Sequence, residues 1–284
     1  MSHFSIAALQ LSLPSEDNLS RIKNEVIKTK SRFPWIDMIV LSELCSYGVD
    51  KKYAEQLPGK AELFYSNLAK EQNLWIITGS QYEKVGDEIY NTSSVINNQG
   101  EVVKRYRKIY PFYPYESGVC EGNDFVVFDV PQGRIGLAIC YDLWFPEVAR
   151  TLTSMGAEVI IYPTLTGTID RPAELILAQS TSITNQCYTL SVNASGDYGN
   201  GQSIVVSPEG NIIYQAGSQQ EVIPFEVDFG LVRRNRERGL HGLGQPLKSF
   251  RDNHIDYTLY ANDNKKKSNL QHLGDLEVPP KNNE

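Results

Sequence analysis

The sequence predicts an α/β fold, and three of its features support that class. Short apolar runs rich in Val, Ile and Leu alternate with segments whose apolar residues recur at helical spacing. Pairs of strand-like runs are joined by short segments containing Asn and Gly, which is typical of hairpins. Hydrophobic residues make up 41% and charged residues 21% of the 284 positions, which is ample material for a large core.

The first third of the chain is predicted as β-α-β-α-β followed by a hairpin. Strands are expected at 4–11, 38–41 and 74–79. The first helix begins at Ser15 or Asp17 and ends near residue 31. Its apolar face contains Leu19, Ile22, Val26 and Ile27. The remaining elements are a helix at 61–71 and a hairpin that pairs 90–96 with 101–106.

Residues 110–124 are rich in aromatic residues, Pro and Gly and predict a long loop. A loop of this length in a compact domain is more often functional than idle. The alternation then resumes, so the two halves are expected to share one order of elements. Strands are expected at 125–130, 135–139, 159–162, 188–193, 203–207, 212–215 and 221–228, with helices at 145–155 and 173–186.

The charge balance argues against polyanionic partners. The chain has 27 Lys and Arg residues against 34 Asp and Glu, a formal net charge of −7. Binding to nucleic acid or to an anionic membrane needs clustered basic residues. We therefore expect neither partner. Residues 1–260 are expected to form one domain, and 261–284 a polar tail whose run of three lysines is typical of solvated surface.

The sequence also predicts a cytoplasmic protein without a cofactor or a metal. No segment has the pattern of a signal peptide or a membrane span. The four cysteines form no CxxC pair, and the four histidines lack metal-ligand spacing. There is no P-loop, and Gly239, Gly242 and Gly244 occur in the wrong order for a dinucleotide fingerprint.

Cys140 is the best candidate for a nucleophile among the four thiols. It ends the apolar run GRIGLAIC and directly precedes a segment where a helix is predicted to begin. The unpaired N–H groups and the dipole at a helix N-terminus favour thiolate over thiol. A cysteine at this position can also be a small core residue, so position alone does not decide its role.

A nucleophilic thiol needs a base, and Glu43 is placed well for that role. It follows the predicted strand 38–41 in LSELCSYG, at the end where α/β sheets collect active sites. Desolvation there would raise the pKa of the carboxyl group and suit a general base. The alternative is a solvated loop carboxylate. A pair of the thiol with His241 or His254 is also possible, although nothing in the sequence positions either histidine.

Lys108 follows the first hairpin in RYRKIYPFYPYESG. An ammonium group between Glu43 and Cys140 would lower the pKa of the thiol and donate to a developing oxyanion. Arg105 and Arg107 lie beside it, so a basic residue in this hairpin is equally compatible with an ordinary surface role.

Together these segments resemble the nitrilase superfamily of carbon–nitrogen hydrolases, whose signature is a Glu, a Lys and a Cys in this chain order. The motifs that match are LSELCSYG around Glu43, RKIYPF around Lys108 and GRIGLAICYDLWFPEVAR around Cys140. The resemblance spans about residues 4–230. It implies a four-layer α-β-β-α sandwich that assembles into homodimers or larger homo-oligomers.

The residues after the cysteine are similar to the amidase and carbamoylase branches, because Tyr141 and Asp142 stand where true nitrilases usually have Trp-Glu. Trp144 stands where many relatives with carboxylated substrates have Arg, which weakens the case for a substrate carboxylate at this point. The resemblance also implies that Glu116 fixes the lysine and the substrate amide, the alternative being a surface carboxylate. The candidates for the substrate pocket are Tyr47, Tyr113, Trp144 and Thr164.

The implied activity is hydrolysis of a small amide or N-carbamoyl compound, with no cofactor. Cys140 would attack the carbonyl carbon after Glu43 removes its proton. Lys108 and the backbone N–H of Tyr141 would stabilise the oxyanion. A thioester would form, ammonia or an amine would leave, and water would release the acid. Two alternatives stay open: a nitrile hydrolase on the same scaffold, and an inactive relative that binds a small molecule or a partner protein.

Overall fold

The computed structural model describes residues 2–257, 260, 269–273 and 276. The strands in this part of the chain are β1 (His3–Gln10), β2 (Met38–Leu41), β3 (Trp75–Ile77), β4 (Gln81–Val85), β5 (Glu88–Ile96), β6 (Val102–Arg107), β7 (Val126–Val130), β8 (Gly133–Leu137), β9 (Val159–Thr164), β10 (Tyr188–Asn193), β11 (Ile204–Val206), β12 (Ile212–Gln215) and β13 (Glu221–Asp228). The α-helices are α1 (Leu19–Arg32), α2 (Lys60–Gln72), α3 (Pro146–Ser154), α4 (Arg171–Asn185), α5 (Phe229–Arg238) and α6 (Pro246–Asp252). Short 3₁₀ helices lie at Lys51–Tyr53, Cys140–Trp144 and Asn269–Leu273.

The strands form two sheets, one from each half of the chain. The first has the order β13-β1-β2-β3-β5-β4, and β6 also pairs with β5; the second has the order β12-β11-β10-β9-β8-β7. The strands joined through helices are parallel, and the hairpins are antiparallel. The exception is β13, a strand from the second half of the chain that belongs to the first sheet. It pairs antiparallel with β1 along its length.

The period-2 alternation of the strands divides the first sheet between two apolar clusters. On β1, Ile6 and Ala8 join the cluster shared with the second sheet, whereas Ala7 and Leu9 join the cluster formed with α1 and α2. A strand that is buried on both faces needs apolar residues at successive positions. This requirement explains the continuous apolar runs in the sequence.

The second sheet is covered in the same way by α3 and α4. Leu152 of α3 and Ala178 of α4 belong to the cluster that contains the strands of this sheet. Between the sheets, the ring of Trp75 on β3 stacks on that of Phe128 on β7, with centroids 6.1 Å apart. The layers therefore follow the order α-β-β-α, and the predicted four-layer sandwich is confirmed.

The sequence analysis missed β4, which pairs antiparallel with β5. Its buried positions include Gln81 and Glu83. Glu83 accepts hydrogen bonds from the guanidinium group of Arg107 and from the hydroxyl of Thr92. Because polar residues occupy buried positions on this strand, it shows no apolar alternation that periodicity could detect.

The helices also depart from expectation in places. Ile27 of α1, predicted on the apolar face, is 36% exposed, whereas Thr29 is buried. The reason is that residues 22, 26 and 29 share the helix face that packs on the sheet. The helices α5 and α6 were not predicted; α5 is rich in arginine and buries few apolar side chains.

No helix in the described part of the chain is long and apolar enough to cross a bilayer. The predicted tail, 261–284, lies outside the described residues except for 269–273 and 276.

We expect Ile160→Ala to lower the free energy of unfolding by about 2–5 kcal/mol. Ile160 lies within β9 and is fully buried, so truncation leaves a cavity in the core. Urea unfolding followed by circular dichroism measures the change. The matched control is Ile212→Ala on β12, where the side chain is 44% exposed and the expected change is below about 1 kcal/mol. Equal losses in the two variants would contradict this placement of the core.

Candidate active site

Three of the predicted site residues lie just beyond the ends of strands and line one cavity. Glu43 follows β2, Lys108 follows β6, and Cys140 follows β8 after a short extension. The cavity has a volume of about 470 Å³. The three residues are nearly fully buried, with exposed fractions of 3%, 1% and 6% in that order. Because β2 and β6 belong to the first sheet and β8 to the second, the cavity lies where the ends of the two sheets meet.

The ammonium group of Lys108 lies between two buried carboxylates. Its Nζ donates to Glu43 Oε1 at 2.7 Å and to Glu116 Oε2 at 2.5 Å. Glu116 is only 5% exposed, and its Oε2 also accepts from the backbone N–H of Phe112. A solvated loop position for Glu43 and a surface position for Glu116 are therefore both excluded.

Asn91, on β5, joins the same two carboxylates and was missed by the sequence analysis. Its Nδ2 donates to Glu43 Oε1 at 2.8 Å and to Glu116 Oε1 at 2.7 Å. Exchanging the amide nitrogen and oxygen would place an oxygen against both carboxylates, so charge determines the orientation of the amide. A single asparagine in a hairpin strand carries no sequence signal of this role.

Cys140 occupies a sharp turn between β8 and α3. Its φ is 46°, in the left-handed region that residues other than Gly seldom adopt and that is often found at functional sites. The structure places α3 close to the predicted helix 145–155, a few residues beyond the thiol. A 3₁₀ turn, Cys140–Trp144, intervenes, and α3 begins at Pro146, where a missing N–H costs nothing. Tyr141 lies in the first turn of the 3₁₀ helix, where backbone N–H groups have no partner within the helix.

Asp142 holds this turn in place. Its Oδ2 accepts from the Tyr106 hydroxyl at 2.7 Å and from the backbone N–H of Ile139 at 2.9 Å. Its Oδ1 accepts from the backbone N–H of Tyr110 at 2.9 Å. Burial raises the pKa of Asp142 to about 6, although these hydrogen bonds act to lower it. The bonds tie the turn that carries Cys140 to the segment that carries Lys108.

Burial and charge together determine where the protons of the site reside. Burial raises the pKa of the Cys140 thiol well above its ordinary value; the Glu43 carboxylate raises it further, and Lys108 opposes both. Burial also raises the pKa of Glu43, against the lowering effect of Lys108. For Lys108, burial acts to lower the pKa, but Glu43 and Glu116 outweigh it and the pKa lies well above the ordinary value. The resting site therefore holds a neutral thiol beside a charged lysine.

A second wall of the cavity comes from the segment after β9 and the first turn of α4. Thr166 Oγ1 lies 3.8 Å from Cys140 Sγ and donates to Glu174 Oε1 at 3.0 Å. Glu174 Oε2 in turn accepts from Arg171 Nη1 at 2.8 Å, and all four side chains are buried. The sequence analysis missed Thr166, Arg171 and Glu174. A Glu in the first turn of a helix interacts favourably with the helix dipole in many proteins, so it does not by itself indicate a site.

The four residues predicted for the substrate pocket are not among those that line this cavity. Tyr47 stacks on Tyr53 in the cluster between the first sheet and its helices. Tyr113 is 37% exposed in the long loop. The Thr164 hydroxyl donates to a backbone carbonyl within β9. Trp144 contacts the ring of Tyr141, which itself lines the cavity.

The aromatic rings that line the cavity are those of Tyr82, Phe112, Tyr115, Tyr141 and Tyr198. The long loop therefore does contribute to the cavity, but through Phe112 and Tyr115 instead of Tyr113. Sequence places the loop near the site, whereas the turn geometry within the loop decides which of its rings face inward.

The alternative base for the thiol can be settled from position. His241 and His254 are exposed, and neither lines the cavity, so the structure offers no Cys–His pair with either one. Within the described ranges, no group of three or more His, Cys, Asp and Glu side chains is arranged to hold a metal ion. The ionisable side chains that line the cavity are one thiol, several carboxylates, four tyrosine hydroxyls and one ammonium group.

A buried thiol beside an ammonium group and carboxylates, in one cavity of an α-β-β-α sandwich, has the arrangement of a cysteine-dependent hydrolase. A family model for carbon–nitrogen hydrolases matches residues 5–237. The chain belongs to the carbon–nitrogen hydrolase family, and the resemblance to the nitrilase superfamily is confirmed.

Individual relatives agree with that assignment. The human protein named omega-amidase NIT2 is 28% identical over 285 aligned positions, which cover 94% of this chain and 100% of the human one. Omega-amidase NIT3 of Saccharomyces cerevisiae is 30% identical over 260 positions, covering 82% and 89%. The crystal structure of yeast Nit3 superposes with a TM-score of 0.77 at 30% identity, covering 83% of this chain and 94% of that chain. A carbon–nitrogen hydrolase from Helicobacter pylori G27 shares the fold, with a TM-score of 0.81 at 22% identity over 90% and 97% of the two chains.

We expect Lys108→Met to lower the free energy of unfolding by about 3–5 kcal/mol at pH 7, because it leaves two buried carboxylates without a cation. Without the ammonium group, burial should raise the pKa of Glu43 in the folded state further above its ordinary value of 4.5. The loss should therefore be small below that pH and grow as the pH rises. Urea unfolding of variant and wild type at pH 4.5 and pH 7.5 measures it.

The control is Lys104→Met, which removes an exposed lysine from β6 and should leave stability nearly unchanged. A loss for Lys108→Met that stays constant or increases on acidification would contradict the assigned charges.

Proposed function

We propose that the protein hydrolyses the C–N bond of a small amide or N-carbamoyl compound through a thioester on Cys140. The observation that carries this proposal is the buried ammonium group of Lys108, bonded to Glu43 and Glu116 and lining the same cavity as the thiol. Three ionisable groups held out of water beside a nucleophile are costly to the fold, and such clusters are typical of active sites.

In the first step Glu43 acts as the general base. Its carboxylate takes the proton of the Cys140 thiol, and the sulfur electron pair forms a bond to the carbonyl carbon of the substrate. The π pair of the carbonyl moves onto its oxygen, which becomes an oxyanion. Because burial raises the pKa of both Glu43 and Cys140, the proton moves between groups that share one desolvated environment.

Lys108 and the backbone N–H of Tyr141 are assigned the role of stabilising the oxyanion by hydrogen bonds. Lys108 carries a full positive charge and lines the cavity beside the thiol. Tyr141 lies in the first turn of the 3₁₀ helix, where an N–H is free to donate. Donors placed in advance at such a position are worth on the order of 10²–10³-fold in rate each.

The intermediate then collapses, and the C–N bond breaks. The carbonyl re-forms, the leaving nitrogen takes the proton from Glu43, and ammonia or an amine departs from a thioester. Glu43 next takes a proton from water, whose oxygen attacks the thioester carbon. The C–S bond breaks, the carboxylic acid leaves, and the proton returns to the sulfur of Cys140.

Glu116 and Asn91 are assigned positioning roles. Glu116 accepts a second hydrogen bond from Lys108, and Asn91 donates to both carboxylates. Lys108 is thereby restrained in one rotamer, and Glu43 is restrained at the oxygen that it shares with Lys108 and Asn91. The other oxygen of Glu43, Oε2, is then available for proton transfer.

The matched relatives support an amide as the substrate in preference to a nitrile. The human and yeast proteins are named omega-amidases, and Tyr141-Asp142 follows the nucleophile as in amidase branches of the family. Offering the amide and the nitrile of one acid, pentanamide and pentanenitrile, and measuring ammonia release tests this directly. Faster release from the nitrile would overturn the proposed substrate class.

We propose that the protein is cytoplasmic and forms a homo-oligomer. Its proposed partner is a small-molecule amide, and binding to nucleic acid or to a membrane is not expected. In the described residues the four cysteines are free thiols, which suits a reducing compartment. Ile176 and Ile183 share one face of α4 and are 67% and 40% exposed, which supports contact with a second copy along this helix.

We expect Cys140→Ala to abolish turnover, with a loss on the order of 10⁶-fold as for removal of a nucleophile in other hydrolases. Wild-type enzyme mixed rapidly with pentanamide and quenched in acid should show an acyl adduct on Cys140 by mass spectrometry. The matched control is Cys120→Ala, which removes a thiol outside the cavity and should retain activity. Turnover by Cys140→Ala, or an adduct on another residue, would contradict the mechanism.

We expect the acid limb of the kcat/KM profile to lie above pH 4.5, the ordinary pKa of a glutamate side chain. Burial raises the pKa of Glu43 above that value, and a base must be ionised to accept a proton, so activity falls as the pH drops through the raised pKa. Enzyme held at each pH and then assayed at pH 7.5 controls for acid unfolding. A limb at or below pH 4.5 would contradict the role of Glu43, and so would wild-type activity in Glu43→Gln, which cannot take up the proton.

A further inference from the structure

The cavity has charged and aromatic groups that the proposed reaction does not use. The segment between β9 and α4 contributes Asp170, the first turn of α4 contributes Glu174, and the loop after β10 contributes Asp197 and Tyr198. Tyr115, from the long aromatic loop, also lines the cavity. These groups are separate from the reacting groups, so they are available to meet the rest of the substrate.

The lining is strongly asymmetric in charge. Among the described residues that line the cavity, Lys108 is the one basic side chain, and its charge is already shared by two glutamates. Asp197 is exposed and has no hydrogen bond or ion pair within the described chain, and Asp170 accepts a hydrogen bond from the hydroxyl of Thr168. An anionic substrate entering this cavity would meet unneutralised carboxylates.

Glu174 adds to this asymmetry although it is paired. Its partner, Arg171, is fully buried and is not among the lining residues. Arg171 also donates from Nη1 to Ser191 Oγ at 3.1 Å and from Nη2 to the backbone carbonyl of Gln202 at 2.8 Å, and neither acceptor residue lines the cavity. The carboxylate of Glu174 therefore faces the cavity and the guanidinium group lies behind it, so a ligand meets the negative end of the pair.

The aromatic rings of the cavity independently favour a cationic ligand. Phe112 and Tyr115 stack with ring centroids 5.6 Å apart, and both line the cavity. Tyr198 lines it as well and is 38% exposed. Faces of aromatic rings attract cations, and carboxylates with aromatic rings together are the groups that recognise ammonium ions.

We propose that the amide substrate carries a positive charge, a protonated amine or a guanidinium group, at the end remote from the scissile bond. This proposal rests on the function proposed above and narrows it. The amide lies against Cys140 and Lys108, and the cationic end lies toward Asp170, Asp197 and the aromatic rings. Substrates whose remote end is a carboxylate, such as ω-amido acids, are disfavoured.

Binding to Cys140→Ala tests the charge preference without depending on turnover. Three amides with five-carbon chains are compared by calorimetry at low salt: pentanamide, 5-aminopentanamide and the monoamide of glutaric acid. The cationic amide should bind at least about tenfold more tightly than the anionic one, which corresponds to about 1.4 kcal/mol. Salt should reduce the ratio, because the exposed carboxylates are screened.

The double variant Asp170→Asn with Asp197→Asn, made in the same Cys140→Ala background, should lower that affinity ratio by about threefold or more. The matched control is Asp87→Asn, an exposed aspartate in the turn between β4 and β5, which should leave the ratio unchanged. An anionic amide that binds as tightly as the cationic one, or a ratio that the double variant does not change, would overturn this proposal.

The two proposals fail in different ways. Hydrolysis of pentanamide by the wild type, with an adduct on Cys140, tests the reaction whatever charge the substrate prefers. If the wild type hydrolyses pentanamide but Cys140→Ala binds the anionic amide more tightly, the charge proposal is wrong and the reaction stands. If the cationic amide binds more tightly but the wild type hydrolyses neither it nor pentanamide, the charge proposal is supported and the reaction is wrong.

Discussion

The site depends on one buried ammonium group. Moving Lys108, Glu43 and Glu116 out of water costs several kcal/mol for each ion, and attraction between them offsets that cost only when the geometry is good and the remaining oxygens are bonded. The structure meets most of this condition with bonds of 2.7 Å and 2.5 Å from Lys108 and with the amide of Asn91 across both carboxylates, and it leaves Oε2 of Glu43 for proton transfer. One positive and two negative charges then leave a net negative charge beside the thiol.

Each reactive group is positioned by residues from another part of the chain. The backbone N–H of Glu43 donates to the carbonyl of Thr164 at 3.2 Å, which joins the end of β2 in one sheet to the end of β9 in the other. Asp142 binds the segment around Lys108 to the turn around Cys140. The cavity is therefore a property of the packed sandwich, and neither half of the chain contains it alone.

In the proposed function, the two walls of the cavity divide the work between reaction and recognition. The wall formed by the first sheet and the cysteine turn carries the groups that can move a proton and hold an oxyanion. The wall formed by the start of α4 and the loop after β10 carries Glu174, Asp197 and Tyr198. Because the first wall lies on strand ends and the second largely on loops, the second can change its chemistry without disturbing the first.

The sequence by itself determined the α/β class and most strand and helix positions, because periodicity reports burial. Its ordered motifs indicated the family and made Glu43, Lys108 and Cys140 the candidates for the site. Only the tertiary structure decided which side chains meet in the cavity. The contacts of Asn91, Asp142 and Glu174 at the site were seen only in the structure. The pocket residues expected from sequence do not line the cavity. The physical reason is that a local pattern shows which face of an element is buried but not which distant element that face contacts, and the polar residues of a site have no periodicity of their own.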